Sequence, residues 1–138
     1  MRGYLLDTHI VLWFLEKDSK LKETVRESIV YFQHNYFVSI VALHEIILLK
    51  EAKKSEIKST IEQIAKDLSD YNIFVLPLET KHLKTLENLS VPIINGKPHY
   101  DPFDRIMIAQ SISEKLTMIS SDQKFPYYSD QKFHLLEN

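Results

Sequence analysis

Cysteine is absent from this 138-residue chain, which excludes a disulfide framework, a thiolate zinc site and a cysteine nucleophile together. An intracellular setting is expected. Long hydrophobic runs are missing too: no apolar stretch approaches the roughly 20 residues that span a bilayer, so no membrane partner is expected. The start, MRGYLLDTHIVLWFLEKD, carries an acid inside its apolar stretch and offers no small-residue cleavage site, the pattern of a soluble, cytoplasmic protein rather than of a secretory leader. Nor is there an excess of charge of one sign. The net charge is −2, so composition does not point to a nucleic-acid partner, and attraction for one must come from a local patch or a bound cation. There is no internal repeat, low-complexity segment or linker.

What is present is enough apolar material, 44% of 138 residues, for one domain over 1–138 with one sizeable core. GYLL (3–6) reads as a strand ending at Asp7 and Thr8, and HIVLWFLE continues as helix. KLKETVRESIVYFQHN follows as a second helix, with Leu21, Val25, Ile29 and Phe32 on one face. YFVS (36–39) is a strand, and Ser39 caps IVALHEIILLKEAKK, a helix so apolar all round that burial is predicted. SEIKSTIEQIAKDLSDY, opening at Ser55, is amphipathic with Ile57, Ile61, Ile64 and Leu68 on one stripe. NIFVLPL (72–78) is strand, ETKHLKTLENL helix, and SVPIINGKPHY a loop with two prolines and one of only two glycines. PFDRIMIAQSISEKL is helix and TMIS (117–120) strand. Short apolar strands alternating with helices predict an α/β fold, a three-layer α/β/α sandwich around a mainly parallel sheet.

The acids that fall at strand ends or inside apolar helices are the candidates for chemistry. Asp7 ends the first strand, Asp122 follows a later one, and Asp104 lies in the first turn of the helix feeding it. The carboxyl ends of parallel strands are where such sheets bind ligands. Glu45 sits in IVALHEIILL, where a buried carboxylate needs a cation or a hydrogen-bond donor opposite it.

Each acid also has a plain structural reading. Asp7 and Asp101 fit helix caps, Asp104 the positive end of a helix dipole, Asp122 a turn in SSDQKF, and Glu45 an ion pair with Lys50 or Arg105 or a surface position. Unrelated caps have no reason to converge on one sheet edge. Four converging carboxylates repel and need divalent cations. Oxygen ligands without imidazole or thiolate favour Mg²⁺ or Mn²⁺, and the chemistry suited to that set is phosphodiester hydrolysis.

YLLDTHIVLWFL, VSIVALHEI, HYDPFDRIMIAQS and TMISSDQKF resemble, in order, the four acidic motifs of PIN-domain ribonucleases, and in particular those of VapC-like toxins of type II toxin–antitoxin pairs. The resemblance implies that Asp7, Glu45, Asp104 and Asp122 are the catalytic, metal-holding residues and that Thr8 and Ser121 are polar supports beside them. It also implies an RNA substrate, a homodimer and a cognate antitoxin protein. Asp101 is an extra acid with no definite place in it. His9 stands where other members often carry Ser or Asn, which bears on substrate contacts. Two other readings stay open: a receiver-like regulatory domain phosphorylated on Asp7, which wants an acidic pair that LLDTH lacks, and a DNA-directed nuclease.

Lesser candidates have mostly structural readings. No histidine pair has the H-x-x-x-H spacing of a zinc hydrolase, so His34, His82 and His134 read as surface or structural, and His44 points away from its neighbour Glu45. His9 and His99 adjoin the motifs, as structural residues or RNA contacts. Arg105 is a phosphate clamp or the partner of a nearby acid. Lys50, Lys53 and Lys54 form a basic helix end or a phosphate contact. Trp13, Phe14, Phe32, Tyr36 and Phe37 are assigned to the core or a dimer face.

Overall fold

The structure, a computed structural model, describes residues 3–54 and 56–138. The chain runs β1 (Gly3–Leu6), α1 (Thr8–Glu16), α2 (Glu23–Val30), β2 (Asn35–Ser39), α3 (Ile40–Glu51), α4 (Ile61–Asp70), β3 (Ile73–Leu76) and α5 (Thr80–Glu87). It continues with β4 (Ile93–Ile94), β5 (Lys97–Pro98), α6 (Pro102–Ser113), β6 (Thr117–Ser120), a 3-10 turn (Phe125–Tyr128) and β7 (His134–Glu137). Five strands form one parallel sheet in the order β3-β2-β1-β6-β7. Successive residues of a strand point to opposite faces, yet Tyr4, Leu5 and Leu6 of β1 are all buried, as are Met118, Ile119 and Ser120 of β6. Both faces of the sheet are therefore covered by helices, the α/β/α arrangement that alternating short apolar strands predict.

The order of the strands makes the site. From β1 the chain moves outward through β2 to β3, then returns past α5 and α6 to place β6 on the other side of β1 and β7 beyond it. Between β1 and β6 the winding reverses. At such a switch point the loops leaving the two strand ends diverge and open a crevice beyond their carboxyl ends. The β1–β6 register pairs Leu6 with Ile119, and the Asp7 N–H donates to the Ile119 carbonyl at 3.0 Å.

Local chemistry explains most boundaries. Asp7, Ser39 and Asp101 each accept a backbone N–H at the start of α1, α3 and α6, and Pro102 follows Asp101 at the first helical position. Thr60 and Gln63 form a capping box, so α4 begins at Ile61. That is later than the hydrophobic stripe predicts. Ile57 is partly buried ahead of the helix, and Ser55 lies outside the described residues. The α2 helix also stops early: Leu21, Val25 and Ile29 are buried, while Phe32 has φ +53° and is exposed. Of the other aromatics assigned to the core, Phe14 and Tyr36 are buried, and Trp13 and Phe37 are partly so.

Two further elements depart from the sequence reading. SVPIINGKPHY is a miniature hairpin, β4 paired with β5 and turned by Asn95 and Gly96, both at positive φ as a tight two-residue hairpin turn requires. The α3 helix is not buried all round. Val41, Ala42, Leu43 and Ile46 face the core, but Ile40, His44, Ile47 and Leu48 form an exposed stripe. Among the described residues no helix is long and apolar enough to cross a membrane.

Candidate active site

The crevice beyond β1 and β6 receives side chains from four elements, tied together by three hydroxyl contacts. Asp7 is buried. One of its oxygens accepts the Thr8 N–H at 2.8 Å and the other the Ser120 hydroxyl at 2.7 Å. Ser120 Oγ also accepts the Asp122 N–H at 3.0 Å, so one hydroxyl joins the acid ending β1 to the acid following β6. The Thr8 hydroxyl donates to Glu45 Oε1 at 2.6 Å, which brings α3 to the first turn of α1. These contacts orient the carboxylates of Asp7 and Glu45 with neutral donors and leave their negative charge uncompensated, while Ser120 holds the backbone of Asp122.

Asp104 is the electrostatic centre. Its carboxyl is pushed up to about 8, first by burial and then by the charges of Asp101, Asp7, Asp122 and Glu45. Asp7 is pushed up to about 6, chiefly by burial, against the lowering effect of its Ser120 and Thr8 hydrogen bonds. Asp7 and Asp104 are held in an environment that resists their ionisation, which a cation would relieve. Among the described residues no three acids or imidazoles stand in the closed arrangement that grips an ion. The donor set fits a hard divalent ion: carboxylates on four separate elements, in a chain with no cysteine.

The structure brings Asp7, Glu45, Asp104 and Asp122 to this crevice and sorts the accessory candidates differently from the sequence. Asp101 caps α6, accepting the Asp104 N–H at 3.0 Å, and is exposed. Asp122 also makes the turn its sequence suggests, accepting the Lys124 N–H at 2.9 Å. Ser121 is exposed; the serine that touches Asp7 is Ser120. The reason is register: with Leu6 opposite Ile119, the residue beside Asp7 is 120, and a shift of one along a strand reverses the side chain. Glu45 has no ion-pair partner among the described residues. The expected Lys50 instead donates to the Ser59 carbonyl. Arg105 neither pairs with an acid nor faces the crevice as a clamp; its guanidinium donates to the carbonyls of Leu89 at 2.9 Å and Ser90 at 3.3 Å and to the Tyr128 hydroxyl at 3.1 Å.

Among the histidines, His82 is buried, accepting the Glu79 N–H on Nδ1 and meeting Glu114 at 2.6 Å through Nε2. His44 is exposed, edge-on to Phe103. His99 is buried beside the site, with Nδ1 2.8 Å from the Tyr128 hydroxyl and Nε2 3.3 Å from Asp104 Oδ2. Burial lowers its pKa. Sequence reasoning passed over Ser120, and its only available signal was its place at the end of an apolar strand.

Comparison with known proteins bears on the family and the fold. Residues 4–130 match the family model described as PIN domain. Among solved structures, the chain resembles VapBC2 from Rickettsia felis bound to a DNA fragment from its promoter, with TM-score 0.69 and 17% identity over 98% of each chain. It resembles DNA-bound VapBC from Salmonella typhimurium at TM-score 0.66 and 16% identity, covering 99% of this chain and 98% of that one. FitAB bound to an IR36 DNA fragment gives 0.65 and 11%, covering 97% and 94%. These likenesses concern the fold. No curated protein gives a significant sequence match. PIN domains are nucleases that generally use divalent metal ions. With the family model matching most of its length, and its acids gathered at the switch point of the sheet, this chain belongs to the PIN domain family.

Proposed function

We propose that this chain is an endoribonuclease dependent on Mg²⁺ or Mn²⁺, a single nuclease domain over 1–138 that acts in the cytoplasm as the toxin of a toxin–antitoxin pair. The observation that carries this is Asp104, half-buried at the start of α6 and pushed up to about 8 by desolvation first and then by the charges of Asp101, Asp7, Asp122 and Glu45. The motif resemblance to VapC-like toxins, and the VapBC assemblies among the matching folds, support the toxin role and a cognate antitoxin. A homodimer is the remaining part of that reading, and the exposed stripe Ile40, Ile47 and Leu48 on α3 offers apolar surface for it.

Asp7, Glu45, Asp104 and Asp122 would hold the ion, which when bound would polarise the phosphate and lower the pKa of water to supply the nucleophile. Thr8 and Ser120 fix the rotation of Glu45 and Asp7 by donating to one oxygen of each, leaving lone pairs for the ion. Burial of Asp7 and partial burial of Asp104 limit the screening of the site by bulk water. Without a cation the crevice repels an RNA backbone. Lys53 and Lys54, exposed beyond the end of α3, supply positive charge for phosphates farther along the strand.

The test is cleavage of RNA and of single-stranded DNA in Mg²⁺, Mn²⁺ or EDTA. RNA should be cut only with the ion present, and DNA should survive. Glu45→Gln, nearly isosteric, should keep the circular dichroism of the parent and lose activity by orders of magnitude. Cleavage of DNA alone would make this a DNA nuclease, and activity of Glu45→Gln within a few-fold of the parent would break the four-acid site.

A further inference from the structure

Arg105, Tyr128, His99 and Asp104 form a line of side chains that ends on the metal-site carboxylate. The guanidinium of Arg105 can only donate, and it is pinned by the carbonyls of Leu89 and Ser90 while Nη1 reaches the Tyr128 hydroxyl at 3.1 Å. Tyr128 must therefore accept there. Its side chain is fully buried, so its one proton needs an acceptor inside the protein, and His99 Nδ1 stands 2.8 Å away. A ring nitrogen that accepts carries no hydrogen, and in a neutral imidazole the hydrogen is then on Nε2. His99 Nε2 is, with His34 Nδ1, one of two buried side-chain polar atoms among the described residues with no hydrogen-bond partner. It lies 3.3 Å from Asp104 Oδ2.

We propose that His99 is a positioning residue for Asp104: its tautomer is set by the Arg105–Tyr128 pair so that an Nε2–H is presented to one oxygen of that carboxylate. The metal part of this rests on the reading of Asp104 as a ligand. The backbone is built for the task. The β4–β5 hairpin returns the chain to Pro92, whose carbonyl accepts the His99 N–H at 3.0 Å, and the imidazole packs edge-on to the Tyr128 ring at 5.7 Å. Two residues later Asp101 caps α6 and fixes its first turn, so donor and carboxylate are each set by their own local structure. A donor on Oδ2 fixes the rotation of the carboxyl group and leaves its other oxygen for an ion, as partners behind metal ligands do. The reverse arrangement has a protonated Asp104 donating to Nε2 and His99 carrying its hydrogen on Nδ1. Tyr128 would then receive two donors, and its own proton would be buried without an acceptor.

The decisive experiment reads the tautomer in the metal-free protein at about pH 9, where Asp104 is ionised, by nitrogen-detected histidine spectra, with the His99→Gln spectrum identifying which of the six histidines is His99. The expected pattern is a protonated Nε2 and an unprotonated Nδ1; the inverse pattern overturns the proposal. The second readout is Mn²⁺ affinity by titration of the free ion. His99→Leu should weaken binding about tenfold or more. His99→Gln, whose amide nitrogen falls near the place of Nε2, should stay within about threefold of the parent. Tyr128→Phe should mix the two tautomers while leaving the fold intact, which keeps the test open if His99→Leu does not fold. Equal Mn²⁺ binding by Leu, Gln and parent, or a Gln variant as weak as Leu, also overturns it. A parent that binds no Mn²⁺ and cuts no RNA would instead sink the metal reading of Asp104, with the tautomer spectrum still deciding the line from Arg105 to His99.

Discussion

The two ends of α6 each carry a carboxylate, and the helix treats them the wrong way round. Its N-terminal end should favour a negative charge and its C-terminal end disfavour one, by about 0.3–1 kcal/mol. Yet Asp104, in the first turn, is pushed up to about 8. Glu114, at the C-cap, lies below its ordinary value because Lys81 and His82 donate to it, at 2.9 and 2.6 Å. Desolvation with the neighbouring acids at the first end, and side-chain donors at the second, outweigh the dipole. The C-terminal acid is satisfied inside the fold and ties α5 to α6. The N-terminal acid is left among four others, and the unfinished end is the one with a use for a cation.

The largest effect should come from removing the unfinished charge. Asp104→Asn should lower RNA cleavage by about two to three orders of magnitude, the scale expected when a group acting on developing charge is lost, whereas Glu114→Gln should leave turnover within about twofold of the parent. Initial rates at saturating Mg²⁺ decide it. Equal losses at the two ends would dissolve the contrast.

Stability should move the other way. The folded-state pKa values of Asp104 and Asp7, about 8 and about 6, lie above the ordinary 3.8. Folding therefore opposes their ionisation, and the metal-free protein should lose stability as pH rises from about 4 through about 8. Asp104→Asn removes most of that slope. In EDTA near about pH 8.5 it should melt several degrees above the parent, the shift that about 1–2 kcal/mol produces in a chain of this size. Mg²⁺ should raise the parent and not the variant. A variant that melts below the parent in both buffers would return Asp104 to a purely helix-start role.

Glu114 has the opposite sign. Its folded pKa is depressed below 4.5, so its contribution is present above that value and fades as pH falls through the lower folded one. Glu114→Gln should cost about 1 kcal/mol at neutral pH, a part-buried pair being worth little more, and less at an acid pH below 4.5. Urea melts at the two pH values measure it.

The smallest effects should be those at Asp101, where the contrast can be sharpened within one turn. Asp101→Ala should cost about 1 kcal/mol, the usual worth of a cap, with cleavage only modestly reduced, and Asp101→Ser should cost less because a capping oxygen remains. A Ser variant as inactive as Asp104→Asn would move Asp101 from the cap into the metal site.

Much of this was legible in one dimension, because it depends on near neighbours along the chain. Asp101 before Pro102 announces the start of α6, Ser39 caps α3, and the apolar runs GYLL and TMIS read as covered strands. The acids at Asp7, Asp104 and Asp122 stand out for the same reason, each next to a strand or helix boundary. IVALHEIILL misled, since composition cannot tell a buried helix from one that keeps Ile40, Ile47 and Leu48 exposed. The strand β7 was too short and mixed, HLLE, to signal itself.

By itself the sequence determined the alternation of strands and helices, the caps, and which acids end which elements, for these follow from periodicity and from hydrogen bonds spanning a few residues. Only the tertiary structure decided that Ser120 rather than Ser121 holds Asp7, that Glu45 faces the Thr8 hydroxyl rather than a lysine, and that Arg105 turns from the acids to Tyr128. Each of those contacts joins segments far apart in the chain, up to |i−j| = 113 for Ser120 and Asp7. For Ser120 and Asp7 the choice is set by strand register, where a slip of one residue reverses every direction, and for the other two by the packing of helices.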